Sequence, residues 1–149
     1  MRYRFEPPPG WRERPFPPPQ RGVYLTAPPD TPRASILLMD AIQPVGTLEE
    51  QADDSLRRGC SDAQTVTAVA AAPLVGHPLP GAAARALVRA TWDGRTRDET
   101  RLFALFEGLG ERLPIVFLGD PDALAFHAAA LHALFASIEW TGASGDSLY

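Results

Sequence analysis

The sequence has no lysine and no asparagine, and it has a single cysteine, Cys60. All fourteen basic residues are arginine. Together with the many alanines, prolines and glycines, this indicates a compositional bias of the source genome and not a phosphate-binding device. A single cysteine excludes an internal disulfide framework and every multi-cysteine zinc or iron–sulfur site. We expect Cys60 to be an incidental buried or half-buried thiol.

Strong charge and long apolar runs are also missing. The net charge of −4 gives no electrostatic reason to expect nucleic acid or an anionic membrane as a partner. The N-terminus "MRYRFEPPPGW" lacks the apolar core of a secretory signal. The longest candidate for a membrane span, "ALAFHAAALHALFASI", is too short and carries two histidines. The sequence therefore predicts a cytoplasmic protein with no membrane insertion and no nucleic-acid partner.

Residues that could carry chemistry are few and scattered. "GDSL" at 145–148 matches the signature of a hydrolase family by letters, but no downstream His or Asp completes a triad. His127 and His132 are five positions apart, whereas a helix chelates a metal with residues three or four apart. His77 lies in a turn, "GHPLPG". We therefore predict no enzymatic activity, no catalytic residue, no metal site and no cofactor.

What is present is a pattern of strands interrupted by isolated helices. The length predicts one domain, over 1–140, followed by a flexible tail at 141–149. Strand patterns "RGVYLTAP" and "ASILLMDAI" precede a short helix, for which Thr47 and Glu50 form a capping box and which Gly59 ends. "AQTVTAVAAAPLVG" follows as a further strand. This order predicts an α+β fold with an antiparallel sheet.

The strongest local signal is the Asp-Gly dipeptide at 93–94, which lies between two strand patterns and predicts a type I′ hairpin. Its two-residue loop places Arg89 opposite Asp98. It also places Trp92 opposite Arg95. We expect the arginines of this hairpin to be solvated and ion-paired; they are Arg85, Arg89, Arg95, Arg97 and Arg101.

The last element is predicted to be one amphipathic helix over "DPDALAFHAAALHALFASI". Asp120 is the expected N-cap, and Pro121 the expected first helical residue. Phe126 lies on the outer face of this helix among small residues. It is either a contact for a partner or a second copy, or it is covered by the segments that follow the helix.

The central strands are apolar on both of their alternating faces, which means that both faces need cover. Either the two helices take opposite faces and the proline-rich segments complete the cover, or part of one face is left for a partner. The apolar residues with which a partner would make contact are predicted to be Leu37, Met39, Trp92, Phe103, Leu105 and Phe126.

The layout resembles a known superfamily. "RFEPPPGW" before the first strands, "GTLEEQADDSLRRG" after "ASILLMDAI", and the terminal "FASIEW" are similar to the PsbP/DcrB-like superfamily, which includes the yeast Mog proteins. The resemblance covers about 3–140 and is nearest to the cytoplasmic Eag-type chaperones of type VI secretion effectors. It implies a twisted antiparallel sheet between helices, an α/β/α sandwich. It also implies binding to other proteins, since Eag-type members bind apolar toxin segments, commonly as dimers.

We therefore expect a non-enzymatic protein-binding domain, a chaperone or adaptor for an apolar segment of a secreted effector, able to form a homodimer. The alternatives are a structural or regulatory subunit that binds a folded partner, and a small hydrolase. In the N-terminal segment, "RYRF" is predicted to be the first edge strand, "PPPG" a turn, and "RPFPPP" a stiff connection. A polyproline ligand for another protein is the alternative for this segment.

Overall fold

The computed structural model of the protein describes residues 3–141, apart from the side chain of Trp92. In chain order the elements are β1 (Tyr3–Arg4), β2 (Arg12–Pro15), β3 (Gly22–Thr26), β4 (Ala34–Met39), α1 (Leu48–Gly59), β5 (Thr65–Leu74), β6 (Gly81–Trp92), β7 (Arg95–Gly108), β8 (Glu111–Gly119), α2 (Ala123–Phe126), α3 (Ala128–Ser137) and β9 (Glu139–Trp140).

Seven strands form one antiparallel sheet in the order β2-β3-β4-β8-β7-β6-β5, and β1 pairs with β9 in a separate two-stranded sheet. Helix α3 packs over one face, where Ala104 and Phe106 of β7 are buried. Helix α1 packs on the sheet at the place where Leu105 of β7 is buried. Because successive side chains of a strand point to opposite faces, the helices cover opposite faces. The predicted α/β/α arrangement around an antiparallel sheet is confirmed.

The hairpin prediction is confirmed in type and in register. Asp93 and Gly94 both have positive φ, 48° and 77°, as a type I′ turn requires. Arg89 faces Asp98, and the two side chains are joined by a hydrogen bond of 3.0 Å. The strands of this hairpin are the longest in the sheet, where β7 lies beside the central strand β8 and β6 lies beside the edge strand β5.

Helix α1 begins as its sequence predicts. The Glu50 amide donates to the Thr47 hydroxyl at 3.1 Å, and the Thr47 amide donates to the Glu50 carboxylate at 2.9 Å. Both bonds satisfy amides that have no partner inside the helix. The helix then buries Ala52 and Leu56 against β6. Cys60 follows it and is buried, as expected.

The prediction for the N-terminal segment is wrong in its pairing. The first strand does not form the edge of the main sheet, because Tyr3 pairs with Trp140 next to the end of α3. The edge on this side is β2, whose last two residues, Arg14 and Pro15, belong to the segment expected to be only a connection. The predicted "PPPG" turn is present, with the Trp11 amide donating to the Pro8 carbonyl at 3.2 Å.

The last helix is divided, which the sequence analysis did not predict. Asp120 does not cap it, because its carboxylate accepts hydrogen bonds from the backbone and the guanidinium of Arg33, at 3.0 and 3.3 Å. His127 separates α2 from α3 with φ −95° and ψ 14°. Its buried ring is in contact with the Pro32 carbonyl at 3.0 Å, and this contact ties the break to the loop before β4.

One hairpin arginine is not solvated as predicted. Arg101 is 5% exposed and lies between β7 and the end of α1. Its guanidinium donates to both carboxylate oxygens of Asp62, at 2.8 and 3.1 Å, and to Glu99 at 3.2 Å. It also donates to the Gly59 carbonyl at 2.8 Å. A buried arginine needs such partners, so the side chain joins the helix to the sheet.

Within the described residues, no helix is both long enough and apolar enough to cross a membrane. The segment 142–149, which holds the "GDSL" letters and most of the predicted tail, lies outside them.

Candidate functional site: an apolar groove beside the β5 edge

A groove of about 620 Å³ opens between the β5 end of the sheet and the divided helix. Below, "the groove" means this space. Apolar side chains from three neighbouring strands line its floor, and they are Val69, Leu87 and Leu102. Its wall is formed by residues of α2 and α3, among them Leu124, Leu131 and Phe135. The groove therefore lies between two layers of the sandwich, where one layer extends past the other.

The groove exists because the helices cover only part of this face. Phe135 of α3 packs on Phe106 of β7, with ring centroids 4.8 Å apart, and both are buried. Toward the β5 edge the floor is no longer covered, and Val69 and Leu87 are 49% and 45% exposed. The wall presents the small side chains of Ala125 and Ala128. Larger residues there would occupy the space, so the alanines leave it open.

Few polar groups line the groove. The Thr100 hydroxyl donates to the Pro121 carbonyl at 3.1 Å, so this floor group is already paired. Arg85 lies in the floor between Val69 and Leu102, its cross-strand neighbours on β5 and β7. Among the described residues that line the groove there is no Asp or Glu. The groove therefore combines apolar walls with one permanent positive charge.

A pair of histidines lies at the His132 end of the wall. His77, from the turn after β5, stacks on His132 with ring centroids 5.2 Å apart and planes inclined by 6°. The His77 ring also lies edge-on to Phe135 at 5.5 Å. Burial, followed by the nearby charge of His132, lowers the pKa of His77 below its ordinary value. The Nδ1 atom of His77 is buried without a hydrogen-bond partner among the described residues.

A second apolar surface lies on the opposite face of the sheet, beyond α1. Cross-strand neighbours Tyr24, Leu37, Val116 and Phe103 form one half-buried row over β3, β4, β8 and β7. Met39 lies on the same face of β4 and is 37% exposed. We refer to this row with Met39 as the open face. Its side chains are less exposed than Val69 and Leu87.

The six residues predicted to contact a partner lie at several places. Leu37, Met39 and Phe103 lie together on the open face. Leu105 is fully buried against α1 and belongs to the core. Phe126 is 60% exposed on α2, where its ring contacts that of His127. The side chain of Trp92 is outside the described part.

The five of these residues whose side chains are described do not line the groove, which was not predicted from the sequence. Two sequence features are compatible with it in retrospect. One is the run Thr65–Leu74, which has no charged residue although it forms an edge strand. The other is the pair Ala125 and Ala128 on the same side of the divided helix. Neither feature reveals which strand the helix leaves uncovered, because that depends on the sheet order.

The described residues form no group of three or more His, Cys, Asp or Glu that could hold a metal ion. His127 and His132 point to different neighbours, the first to Pro32 and the second to His77.

No protein-family model matches the chain, and a search of curated proteins finds no match. Among solved structures, the chain is similar to LpqN of Mycobacterium tuberculosis, a protein described as involved in cell envelope biogenesis. The two share 12% sequence identity, with a TM-score of 0.44, over 91% of this chain and 81% of LpqN. The similarity concerns the fold alone.

Proposed function

We propose that the protein binds an apolar segment of a partner protein in the groove. The observation that carries the proposal is the exposure of Val69 and Leu87 on the floor of a concave space of about 620 Å³. Large aliphatic side chains that stay half exposed in a concave apolar site are typical of a binding site. Burial of apolar surface supplies the free energy of such an interaction.

The edge strand beside the groove supports a segment in extended form. β5 pairs with β6 alone among the described strands, so its outer edge offers backbone N–H and C=O groups before the register shift between Val69 and Ala72. After that shift the Ala71 amide is already paired, because it donates to the Asp53 carboxylate at 2.8 Å. The ten residues of β5 carry no charge. The other edge, β2, has only four residues, "RERP", of which three are charged, and such charges discourage added strands. Both edges contain one proline, which in β5 is Pro73, next to the last residue of the strand. A partner segment can therefore pair with β5 while its alternate side chains enter the groove.

The partner class that we propose follows from the sequence resemblance to the PsbP/DcrB-like superfamily. On that basis the protein is a chaperone or adaptor that shields an apolar segment of a secreted effector, of the type VI kind, and it acts as a cytoplasmic homodimer. A segment held in the groove would be kept from aggregation before export. An antiparallel sheet between helices, with an uncharged edge strand beside the groove, is compatible with this role.

The experiment is a selection of random displayed peptides on the immobilised protein, followed by fluorescence anisotropy with the enriched peptides. Ala125→Trp places an indole in the groove from an exposed wall position. Ala129→Trp is the matched control, because Ala129 is exposed on α3 outside the groove lining.

We expect apolar peptides to be enriched, to lose at least about tenfold in affinity for Ala125→Trp, and to bind Ala129→Trp as they bind the wild type. Enrichment of no peptide would contradict the proposal. Equal binding to both tryptophan variants would also contradict it.

The open face favours a second candidate, a structural or regulatory subunit that binds a folded protein. Met39 is 37% exposed, and Leu37 and Val116 beside it are half-buried on the sheet surface. An exposed apolar patch of this kind is typical of a contact with another protein. Met39→Glu would abolish binding of such a partner but would not affect a segment in the groove.

A further inference from the structure

We infer that the segment bound in the groove carries a carboxylate, from an Asp or Glu side chain, which pairs with Arg85. The inference rests on the proposed function and specifies the chemical class of its ligand as an acidic, apolar peptide. It is carried by the charge and the surroundings of one side chain.

Arg85 has no ionic partner within the part of the chain that the structure describes. Arg33, Arg89, Arg101 and Arg112 each form an ion pair with a carboxylate within the described chain. Arg85, on the same sheet, has neither an ion pair nor a side-chain hydrogen bond among the described residues, although it lines the groove. Its guanidinium therefore keeps all five N–H donors available.

The surroundings of Arg85 strengthen its attraction for an anion. Its cross-strand neighbours, Val69 and Leu102, are aliphatic. An apolar segment lying over them would displace water from the guanidinium, and a charge pair is stronger where water is excluded. The same displacement would be unfavourable if the segment brought no anion, because the buried guanidinium would then be unpaired. Arg85 thus favours segments that carry a carboxylate over segments that carry none.

The charge of the groove differs from that of the whole protein. The chain has a net charge of −4, yet the groove lining contains Arg85 and no carboxylate among the described residues. The net negative charge of the whole protein would attract basic segments, but the positive charge of Arg85 would repel them from the groove. Arginine and a carboxylate also match in geometry, since two parallel N–H donors bind the two oxygens.

The experiment is the same peptide selection, carried out on the wild type and on Arg85→Glu. Arg97→Glu is the matched control, because Arg97 is an exposed arginine without an ion pair among the described residues, on the opposite face of the sheet. One enriched peptide is then synthesised with Glu, Gln or Lys at its acidic position, and a medium-chain fatty acid is measured beside it. Each probe is titrated against wild type, Arg85→Gln and Arg97→Gln.

We expect wild-type selections to enrich apolar peptides with one Asp or Glu at a fixed position, and Arg85→Glu to enrich Lys or Arg there. The Glu peptide should bind wild type about tenfold more tightly than the Gln peptide, and Arg85→Gln should remove that difference while Arg97→Gln preserves it.

The inference would be overturned if the selected apolar peptides had no acidic position, or if they bound wild type and Arg85→Gln with the same affinity. The proposed function would stand in both cases. A selection that enriches no peptide would overturn both. Binding of the fatty acid through Arg85 with no peptide binding would also overturn both, because the occupant would then be a lipid.

Discussion

Nε2 of His77 lies 3.4 Å from Nδ1 of His132, so two imidazoles join the turn after β5 to the middle of α3. The contact lies at the groove wall, to which His132 belongs. Behind the pair, Phe106 and Phe135 both lie edge-on to the His77 ring. The His77 ring therefore lies against the apolar core, and this burial lowers its pKa below the ordinary value.

Protonation of His77 is expected to destabilise the fold. Burial lowers the pKa of His77 in the folded protein below its ordinary value of 6.5, and the unfolded chain has that ordinary value. Below pH 6.5 the unfolded chain takes up a proton that the folded protein resists, so the free energy of unfolding falls as the pH falls toward the folded pKa. Urea unfolding of wild type and His77→Gln, measured at several pH values from 8 down to 5, checks this. A pH dependence in this window that is unchanged by the substitution would contradict it.

Loss of the Arg101 guanidinium is expected to be among the most destabilising single changes in the sheet. Arg101→Met keeps the apolar stem but leaves Glu99, which is 4% exposed, without its nearest cation. Removal of one partner of a buried ion pair destabilises by about 3 kcal/mol. Urea unfolding measures the difference, with the exposed Arg97→Met as the control at below about 0.5 kcal/mol. Adding Glu99→Gln should recover part of the loss; no recovery would mean that Asp62 and Gly59 account for it.

The substitution Gly108→Ala is expected to displace the Trp140 side chain. A Cβ atom built at Gly108 would overlap the indole ring of Trp140, which belongs to the β1–β9 pair. Forcing a methyl group into an occupied site destabilises by about 1–3 kcal/mol. Gly59→Ala is the control, because no atom outside its chain neighbours and its own helix backbone lies within 4 Å of its Cβ position. The account of this end of the fold is wrong if thermal or urea unfolding gives the two variants the same stability.

Deletion of the first 20 residues is expected to unfold the protein or to destabilise it severely. Tyr3 is 4% exposed, and its hydroxyl donates to the Met39 carbonyl at 2.6 Å. Trp11 packs on the main core and lies edge-on to His127 at 5.0 Å. Far-ultraviolet circular dichroism and thermal unfolding of the truncated chain test this. A truncated chain as stable as the whole would instead support a dispensable polyproline ligand.

Local features of the fold were predictable from the sequence because each is decided by a few neighbouring residues. The capping box of Thr47 and Glu50 requires only its own backbone amides. The Asp-Gly turn at 93–94 requires only positive φ, and it then determines the register of β6 and β7. The apolar pattern of both faces of β4 and β8 predicted cover on both sides, which α1 and α3 supply over part of the sheet.

Features decided by distant residues were not predictable. The break at His127 depends on the Pro32 carbonyl, 95 positions away, and the lost cap depends on Arg33, 87 positions from Asp120. Arg101 is buried because the end of α1 supplies carboxylate and carbonyl partners. The groove depends on which strand becomes the edge next to α3. The spacing of residues in the sequence does not give the order of the strands. It was therefore not predictable that Val69, Leu87 and Arg85 line one site.

The most direct test of the central claim is amide hydrogen exchange of the protein with and without a peptide selected on it. If the segment lies in the groove and pairs with β5, added protection will appear in Thr65–Leu74 and in Ala128–Ser137. Ala125→Trp should abolish that protection, and Ala129→Trp should retain it. Protection confined to Gly22–Thr26 and Ala34–Met39, on the open face, would contradict the account and favour the folded-partner alternative.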